Sequence, residues 1–214
     1  MTKPLGIILA GGLARRMGGG DKGMIKLGGQ SLLDRVITRI SPQVDALALN
    51  ANGDASRFES LGLTVLKDSI GGYVGPLAGI LAGLDWAHKQ GAEHIVSVAA
   101  DTPFFPETLV SRLLDASKAE GKPIALAASH DPERGIVRQP VFGLWPVSLR
   151  EDLRDALNGG LRKIVMWADI HGAASAVFEP ETCKTATSRI DPFFNINTPQ
   201  DIATAEGLVE RYQR

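Results

Sequence analysis

The chain contains one cysteine, Cys183, in 214 residues, which excludes an intramolecular disulfide framework and fits a reducing compartment. No apolar run approaches the roughly 20 residues needed to cross a bilayer. A surplus of charge is also missing. The formal net charge is −1, so no basic field invites non-specific nucleic-acid binding and any anion site must be local. The four histidines, His88, His94, His130 and His171, form no tight cluster along the chain. Internal repeats, low-complexity tracts and Pro- or Ser-rich linkers are lacking, which favours one domain over two. Lys3 followed by "LGIILAGGLA" loosely imitates a secretory signal. Glycines interrupt it, and Arg15-Arg16 follow where a cleavage region is small and neutral. The segment therefore reads as a buried strand and turn, and the expectation is a soluble, cytoplasmic protein.

What is present is an alternation of short apolar runs with segments of helical period, the pattern of βαβ units and a largely parallel sheet. Strands are expected at Leu5–Ala10, Val44–Leu49, Leu63–Leu66, in "HIVSVAA" and in "IALAAS". Between them, "SLLDRVITRI" aligns Leu32, Leu33, Val36, Ile37 and Ile40 on one helical face, with Ser31 and Asp34 as a capping box. A short helix over 55–61 stops at Gly62. A longer one starts at Pro76 and ends near Gly91, and another begins about Glu107. Further on, "HDPERGIVRQP" reads as a polar loop, "VFGLW" and "ASAVF" as strands, "SLREDLRDAL" and "LRKIVMWADIHG" as helices, and Pro199 opens a terminal helix.

Eight of the 24 glycines fall in Leu9–Gly29, together with Arg15, Arg16, Lys22 and Lys26 against a single acid, Asp21. A P-loop needs Gly-Lys-Ser/Thr, and no lysine here has that context. Gly18, Gly20 and Gly23 match the G-x-G-x-x-G spacing, but a dinucleotide fingerprint sits directly after its strand, and here the strand ends eight residues earlier. The segment remains a long strand-to-helix loop at the carboxyl ends of the sheet, where ligands bind in α/β folds. Gly11 and Gly12 let backbone N–H groups approach phosphate oxygens, and Arg15, Arg16 and Lys22 offset polyphosphate charge.

"LAGGLARRMGGGDK" (Leu9–Lys22) closely resembles the signature loop of the molybdenum cofactor guanylyltransferase family. Further matches lie in order at "NANGD" (Asn50–Asp54), "DSIGGYVGPLAGI" (Asp68–Ile80), "DTPFFP" (Asp101–Pro106) and "NINTPQDI" (Asn195–Ile202), and are weakest between about Lys118 and Thr187. The resemblance implies a single nucleotidyltransferase domain over residues 1–214: α/β, Rossmann-like, three-layer α/β/α with a largely parallel sheet, of the nucleotide-diphospho-sugar transferase type. It implies transfer of GMP from GTP to molybdopterin, with pyrophosphate released. A phosphate nucleophile is already ionised, so no histidine or activated serine is required, and positioning and electrostatics carry the reaction.

Carried over residue by residue, the resemblance assigns Arg15, Lys22 and Asp101 to catalysis. Leu9, Ala10, Gly11, Gly12, Lys22, Asn50, Asp68, Gly75 and Asp101 are assigned to GTP. Asp101, at the end of a buried strand and before Thr102-Pro103, is the Mg²⁺ ligand, the alternative being a turn or cap aspartate. Asn197 is a second polar group near the metal or else a helix cap. Arg138, Gln139 and Asn197 fall on the molybdopterin side, with Arg162-Lys163 as phosphate holders or plain surface charge. Cofactor delivery implies contacts with accessory proteins and apo-molybdoenzymes, and none with nucleic acid or membrane. Two other readings stand beside this one. One is a cytidylyl or sugar-1-phosphate transferase on the same fold, and the other is a non-catalytic nucleotide-binding regulator.

Overall fold

Each expected βαβ repetition closes onto one sheet. The computed structural model describes residues 3–11, 22–71, 75–131, 133–179, 181–182 and 189–212. β1 (Leu5–Leu9) is followed by a 3-10 turn (Lys22–Met24) and a small hairpin of β2 (Lys26–Leu27) and β3 (Gln30–Ser31), then by α1 (Leu32–Ile40). β4 (Leu47–Asn50), a 3-10 helix (Ala55–Leu61), β5 (Thr64–Leu66), α2 (Pro76–Lys89), β6 (His94–Ala99) and α3 (Leu109–Glu120) come next. β7 (Ile124–Asp131), β8 (Gly135–Pro146), α4 (Arg150–Asn158), α5 (Ile164–His171) and β9 (Ala173–Phe178) complete the sheet. β10 (Glu181–Thr182) and β11 (Arg189–Ile190) form a separate antiparallel pair, and α6 (Pro199–Tyr212) ends the chain.

The sheet order is β5-β4-β1-β6-β8-β7-β9. All neighbours run parallel except β8, which is antiparallel to both β6 and β7. Strand residues alternate between the two faces. Ile8, Val96 and Val98 join Leu33, Val36 and Ile40 of α1 and Leu109 and Leu113 of α3. Leu5, Ile7 and Ile95 meet α2, α4 and α5 on the other side. Hence three layers, as expected for apolar strands covered on both faces by helices. α6 sits apart, packing Ala205, Leu208 and Val209 on Leu27, Leu32 and Phe104.

Local rules place most elements. Ser31 caps α1, accepting from the Asp34 N–H at 3.0 Å, while Asp34 reaches back to the Ser31 N–H. Two expectations are corrected. The second strand begins at Leu47 rather than Val44, because Ser41–Gln43 continue α1 as a 3-10 turn. The "polar loop" over 130–140 is instead the outer half of a hairpin: β7 runs on to Asp131, and β8 starts at Gly135. Its residues are half-buried to exposed and alternate in no apolar pattern, so pairing with β7 rather than burial makes them a strand. Among the described residues, no helix is long and apolar enough to cross a membrane.

Candidate functional site

Two features of the sheet open a cleft at its carboxyl edge. α1 leads from β1 out to β4, whereas α2 leads from β5 back past β4 and β1 to β6 on the other side. That is the strand-order reversal at which open α/β sheets bind ligands. In addition, the pairing of β8 with β6 runs from His94↔Pro146 and stops at Ser97↔Gly143, and the register of β8 against β7 jumps from Leu126↔Gly143 to Ala127↔Gln139. The intervening Pro140–Phe142 bulge out, and Pro140 itself cannot donate to a ladder. The result is a cleft of about 460 Å³ between β1/β6 and the bulge, lined by Leu9, Gly11, Ala99, Asp101, Gln139 and Phe142 among others.

One side of the cleft is built on a carboxylate held by two amides. Asn50, buried at the end of β4, donates through Nδ2 to Asp68 Oδ1 at 2.9 Å and to the Leu66 carbonyl at 3.2 Å. Asn52 donates to Asp68 Oδ2 at 2.7 Å and accepts the Asp68 N–H at 3.0 Å. Gly75 and Pro76 line the same side. Gly75 has φ +83°, a left-handed backbone that lets α2 start at the cleft wall with Pro76 in its first turn. α2 comes so close that a Cβ on Gly79 would strike Asn50 Oδ1 and lie 2.8 Å from Leu9 Cδ2.

The residue after Asp68 is tied down separately. Ser69 Oγ donates to Asp85 Oδ2 at 2.5 Å, and Arg154 and Arg150 of α4 reach Asp85 Oδ1 at 2.6 and 3.0 Å. Burial is the largest single influence on Asp85 and pushes its pKa up. The Ser69, Arg154 and Arg150 hydrogen bonds together outweigh it, so the group lies below its ordinary value of 3.8. As pH falls, the unfolded chain therefore takes up this proton first, and the carboxylate's contribution, complete above about pH 4, is lost as pH drops through the lower native value. In urea titrations, Asp85→Asn is expected to be less stable than wild type at neutral pH and to converge with it as pH drops through the lowered native value. An unchanged difference across that range would show that the ionised carboxylate is not what α4 holds.

The other side gathers cationic and oxygen groups. Lys22 Nζ donates to Asp101 Oδ2 at 2.6 Å and to Asn197 Oδ1 at 2.5 Å. Thr102 Oγ1 lies within hydrogen-bond reach of both Asp101 Oδ1, at 3.1 Å, and Asn195 Oδ1, its one proton shared between them. The Ile196 N–H donates to the Asp101 carbonyl at 3.0 Å, stitching the two loops together. Asn197 is not the cap of α6. Thr198 Oγ1 accepts the Asp201 N–H, while Asp201 Oδ2 accepts the N–H groups of Asn197 and Thr198, both at 2.8 Å. These bonds, that from Asn197 first, hold Asp201 below the usual carboxylate range. With Thr198 capping, the Asn197 amide is left to face Lys22.

The other expected residues are placed as follows. Leu9 and Gly11 line the cleft, and Ala10 extends β1, its N–H on the Asn50 carbonyl at 2.9 Å. Gln139 lines the cleft and donates to Ser129 Oγ at 3.1 Å. Arg138 points elsewhere, to Asp169 of α5 at 2.6 Å and Ser175 of β9 at 3.2 Å. Arg162 donates to the Leu157 and Leu161 carbonyls at the end of α4, and exposed Lys163 precedes α5. Gly12, Arg15, Arg16, Gly18, Gly20, Asp21 and Cys183 lie outside the described residues. None of the histidines lines the cleft. Asn52 and Asn195 were missed as individuals, although both lie inside motifs quoted above. Single asparagines carry no periodicity, and only their motif neighbours mark them.

Among the described residues no three acidic, histidine or cysteine side chains converge as a metal set. Asp101 Oδ2 and Asn197 Oδ1 instead converge on one cation, the Lys22 ammonium. Two hard oxygens on one cation are the sort of partial donor set that Mg²⁺ accepts when phosphates and water complete its shell.

The comparisons with known proteins agree in extent. The family model of the MobA-like NTP transferase domain matches residues 6–172. A molybdenum cofactor guanylyltransferase of Bradyrhizobium sp. (strain ORS 278) is 50% identical over 212 residues, covering 98% of this chain and 94% of its own length. One from Nitrobacter hamburgensis is 48% identical over 206 residues, covering 95% and 93%. The crystal structure of molybdopterin-guanine dinucleotide biosynthesis protein A from Archaeoglobus fulgidus matches with a TM-score of 0.69 at 24% identity, covering 97% of this chain and 99% of that one. For 2-C-methyl-D-erythritol 4-phosphate cytidylyltransferase of Thermus thermophilus the TM-score is 0.70 at 20% identity, covering 95% and 98%. The last two likenesses concern the fold, which is that of nucleotidyltransferases of the nucleotide-diphospho-sugar transferase type; the full-length sequence identities go further, and the chain belongs to the molybdenum cofactor guanylyltransferase family.

Proposed function

We propose that the chain transfers GMP from GTP to molybdopterin, forming the guanine dinucleotide and releasing pyrophosphate. One observation carries the reading: a single cleft is lined on one side by the Asp68 carboxylate, held by Asn50 and Asn52, and on the other by Asp101, which binds Lys22 and through it Asn197. Asp68 follows β5 and Asp101 follows β6, three interstrand steps apart in the sheet, or about 14 Å. A nucleotide laid across β4 and β1 then has its base at Asp68 and its phosphates at Lys22. Guanine offers two adjacent N–H donors, N1–H and the exocyclic amine, and a carboxylate meets both.

In the reaction a phosphate oxygen of molybdopterin attacks the α-phosphorus, the bond from that phosphorus to the bridging oxygen breaks, and pyrophosphate departs with the electron pair. Nothing has to be deprotonated, so the chain's task is to hold two anions together. Lys22 stabilises charge on the polyphosphate, and Asp101 orients Lys22. Asp101 with Asn197 is also the set that would hold Mg²⁺, which when bound neutralises phosphate charge. Gly11 exposes backbone to the phosphates, and Arg15 is assigned to the same task. On the molybdopterin side the reading uses Gln139 and Asn197 as contacts, with Arg138 bracing β8 from behind through Asp169.

Calorimetry with each nucleoside triphosphate, with and without Mg²⁺, tests the reading. GTP is expected to bind about tenfold or more tighter than CTP, as a site built for two N–H donors rejects a base lacking them. Pyrophosphate is expected only once molybdopterin is supplied. Equal binding of GTP and CTP, or turnover with a sugar phosphate, would assign the cleft to a related transferase instead.

A further inference from the structure

Asn52 lines the cleft beside Asp68 and is bound to that residue twice. We propose that Asn52 is a positioning residue for base recognition, its amide locking the Asp68 carboxylate so that the acceptor sites left over meet the paired N–H donors of guanine. The proposal rests on the guanylyl-transfer reading above.

A carboxylate offers about four lone-pair directions. Asn50 and Asn52 each take one, on different oxygens, which leaves about two acceptor sites for two adjacent N–H groups. Their direction matters more than their number, because the terminal torsion of an aspartate is broad and does not set itself. Asn52 supplies what the torsion lacks. It donates to Asp68 Oδ2 at 2.7 Å and accepts the N–H of the same residue at 3.0 Å, a closed ring that fixes carboxylate and backbone together. Asn50 makes only one bond to Asp68 and shares its amide with the Leu66 carbonyl.

The ring is braced on both sides. Arg57 donates to the Asn52 carbonyl and, through Nε, to the Asp54 carbonyl, both at 2.8 Å, so the turn carrying Asn52 is held in place. On the far side Ser69 is pinned to Asp85. Support of this kind, in which one side chain fixes the rotamer of another that touches the ligand, is how a recognition group keeps its aim.

Two substitutions in the full-length chain separate positioning from architecture. Asn52→Ala removes both halves of the ring. Asn52→Asp keeps an acceptor for the Asp68 N–H, and so the turn, but exchanges the donor for a second carboxylate. Each protein is titrated with GTP, with inosine triphosphate, which lacks the exocyclic amine, and with tripolyphosphate, all in Mg²⁺. Wild type is expected to prefer GTP over inosine triphosphate by about tenfold or more, the worth of a hydrogen bond to a charged group. Both variants are expected to lose most of that preference while binding tripolyphosphate as wild type does, with Asn52→Asp melting within a few degrees of wild type. Should Asn52→Ala fail to fold, Asn52→Asp alone decides. A wild-type preference retained in the variants overturns the role of Asn52 and leaves the function standing. Equal wild-type binding of GTP and inosine triphosphate overturns it too, by removing Asp68 from the base. Failure of wild type to bind GTP overturns the functional reading itself.

Discussion

Asp101→Ala is expected to lower GMP transfer about a thousandfold while leaving the fold intact, since single preorganised charged or polar groups at reacting phosphates and carbonyls are worth about a hundred- to thousandfold and this one serves two purposes. It holds Lys22 Nζ at 2.6 Å, and it is the carboxylate of the donor set proposed for a divalent cation. Alanine removes both functions at once. The backbone tie from Ile196 to the Asp101 carbonyl survives the change. The Asp101 and Lys22 side chains keep only 25% and 14% of their surface exposed, so a mostly buried pair is broken and a destabilisation of about 1–3 kcal/mol is expected, the range for leaving one polar partner unsatisfied. Asp101→Asn separates the two contributions: it preserves shape and one oxygen but not charge, and should still lose about a hundredfold or more. Single-turnover pyrophosphate release with saturating GTP, alongside a melting curve, reads both quantities. Activity within tenfold of wild type in the alanine variant would take Asp101 out of the reaction, whereas a wild type that releases no pyrophosphate would return the non-catalytic nucleotide-binding regulator to contention.

Gly79→Ala should weaken GTP binding about tenfold and destabilise the protein by about 1–3 kcal/mol, the usual range for overpacking a filled core. The added methyl would strike the Asn50 amide oxygen, lie 2.9 Å from Asn50 Cγ and press on Leu9 at 2.8 Å. The asparagine has no room to withdraw. Asn50 is only 4% exposed and is bound to both Asp68 and Leu66, so moving it turns the carboxylate away. Gly83→Ala provides the control. One helical turn further along α2, its methyl would meet Ile7 Cδ1 at 2.8 Å and Ile95 Cδ1 at 2.9 Å, deep in the core and away from the cleft. It should cost comparable stability and leave the GTP dissociation constant alone. If both variants bind GTP equally, the close approach of α2 serves packing only.

The two positions also show how much of the site was legible in the chain. "GPLAG" was readable as a helix start with Pro76 in place, because capping and proline rules act over three or four residues. The Ser31–Asp34 capping box and the stop at Gly62 were readable for the same reason. Asp101 was identifiable because it closes a buried apolar run, and Asp68 and Asn50 through the motifs they share with a known family. The bulge of β8 was not readable: residues 130–140 hold no apolar alternation, and their pairing is imposed by β7. Nor could the partner of Asn197 be chosen from "NTP", where the asparagine and the threonine are both acceptable caps. That Asp169 of α5 and Ser175 of β9 are the partners of Arg138 is likewise set only by the tertiary structure.

By itself, the sequence determined the class of fold, the order of its main elements, the loops at the carboxyl edge and, through resemblance, the family. Those follow from periodicity, caps and glycine placement, all of which are settled by neighbours a few positions away. Tertiary structure alone decided which groups meet. Lys22 lies 79 positions from Asp101 and 175 from Asn197, and Asn52 lies 16 from Asp68. Contacts across such separations exist only after the sheet has formed and split at β8, because no local interaction carries information over that length of chain.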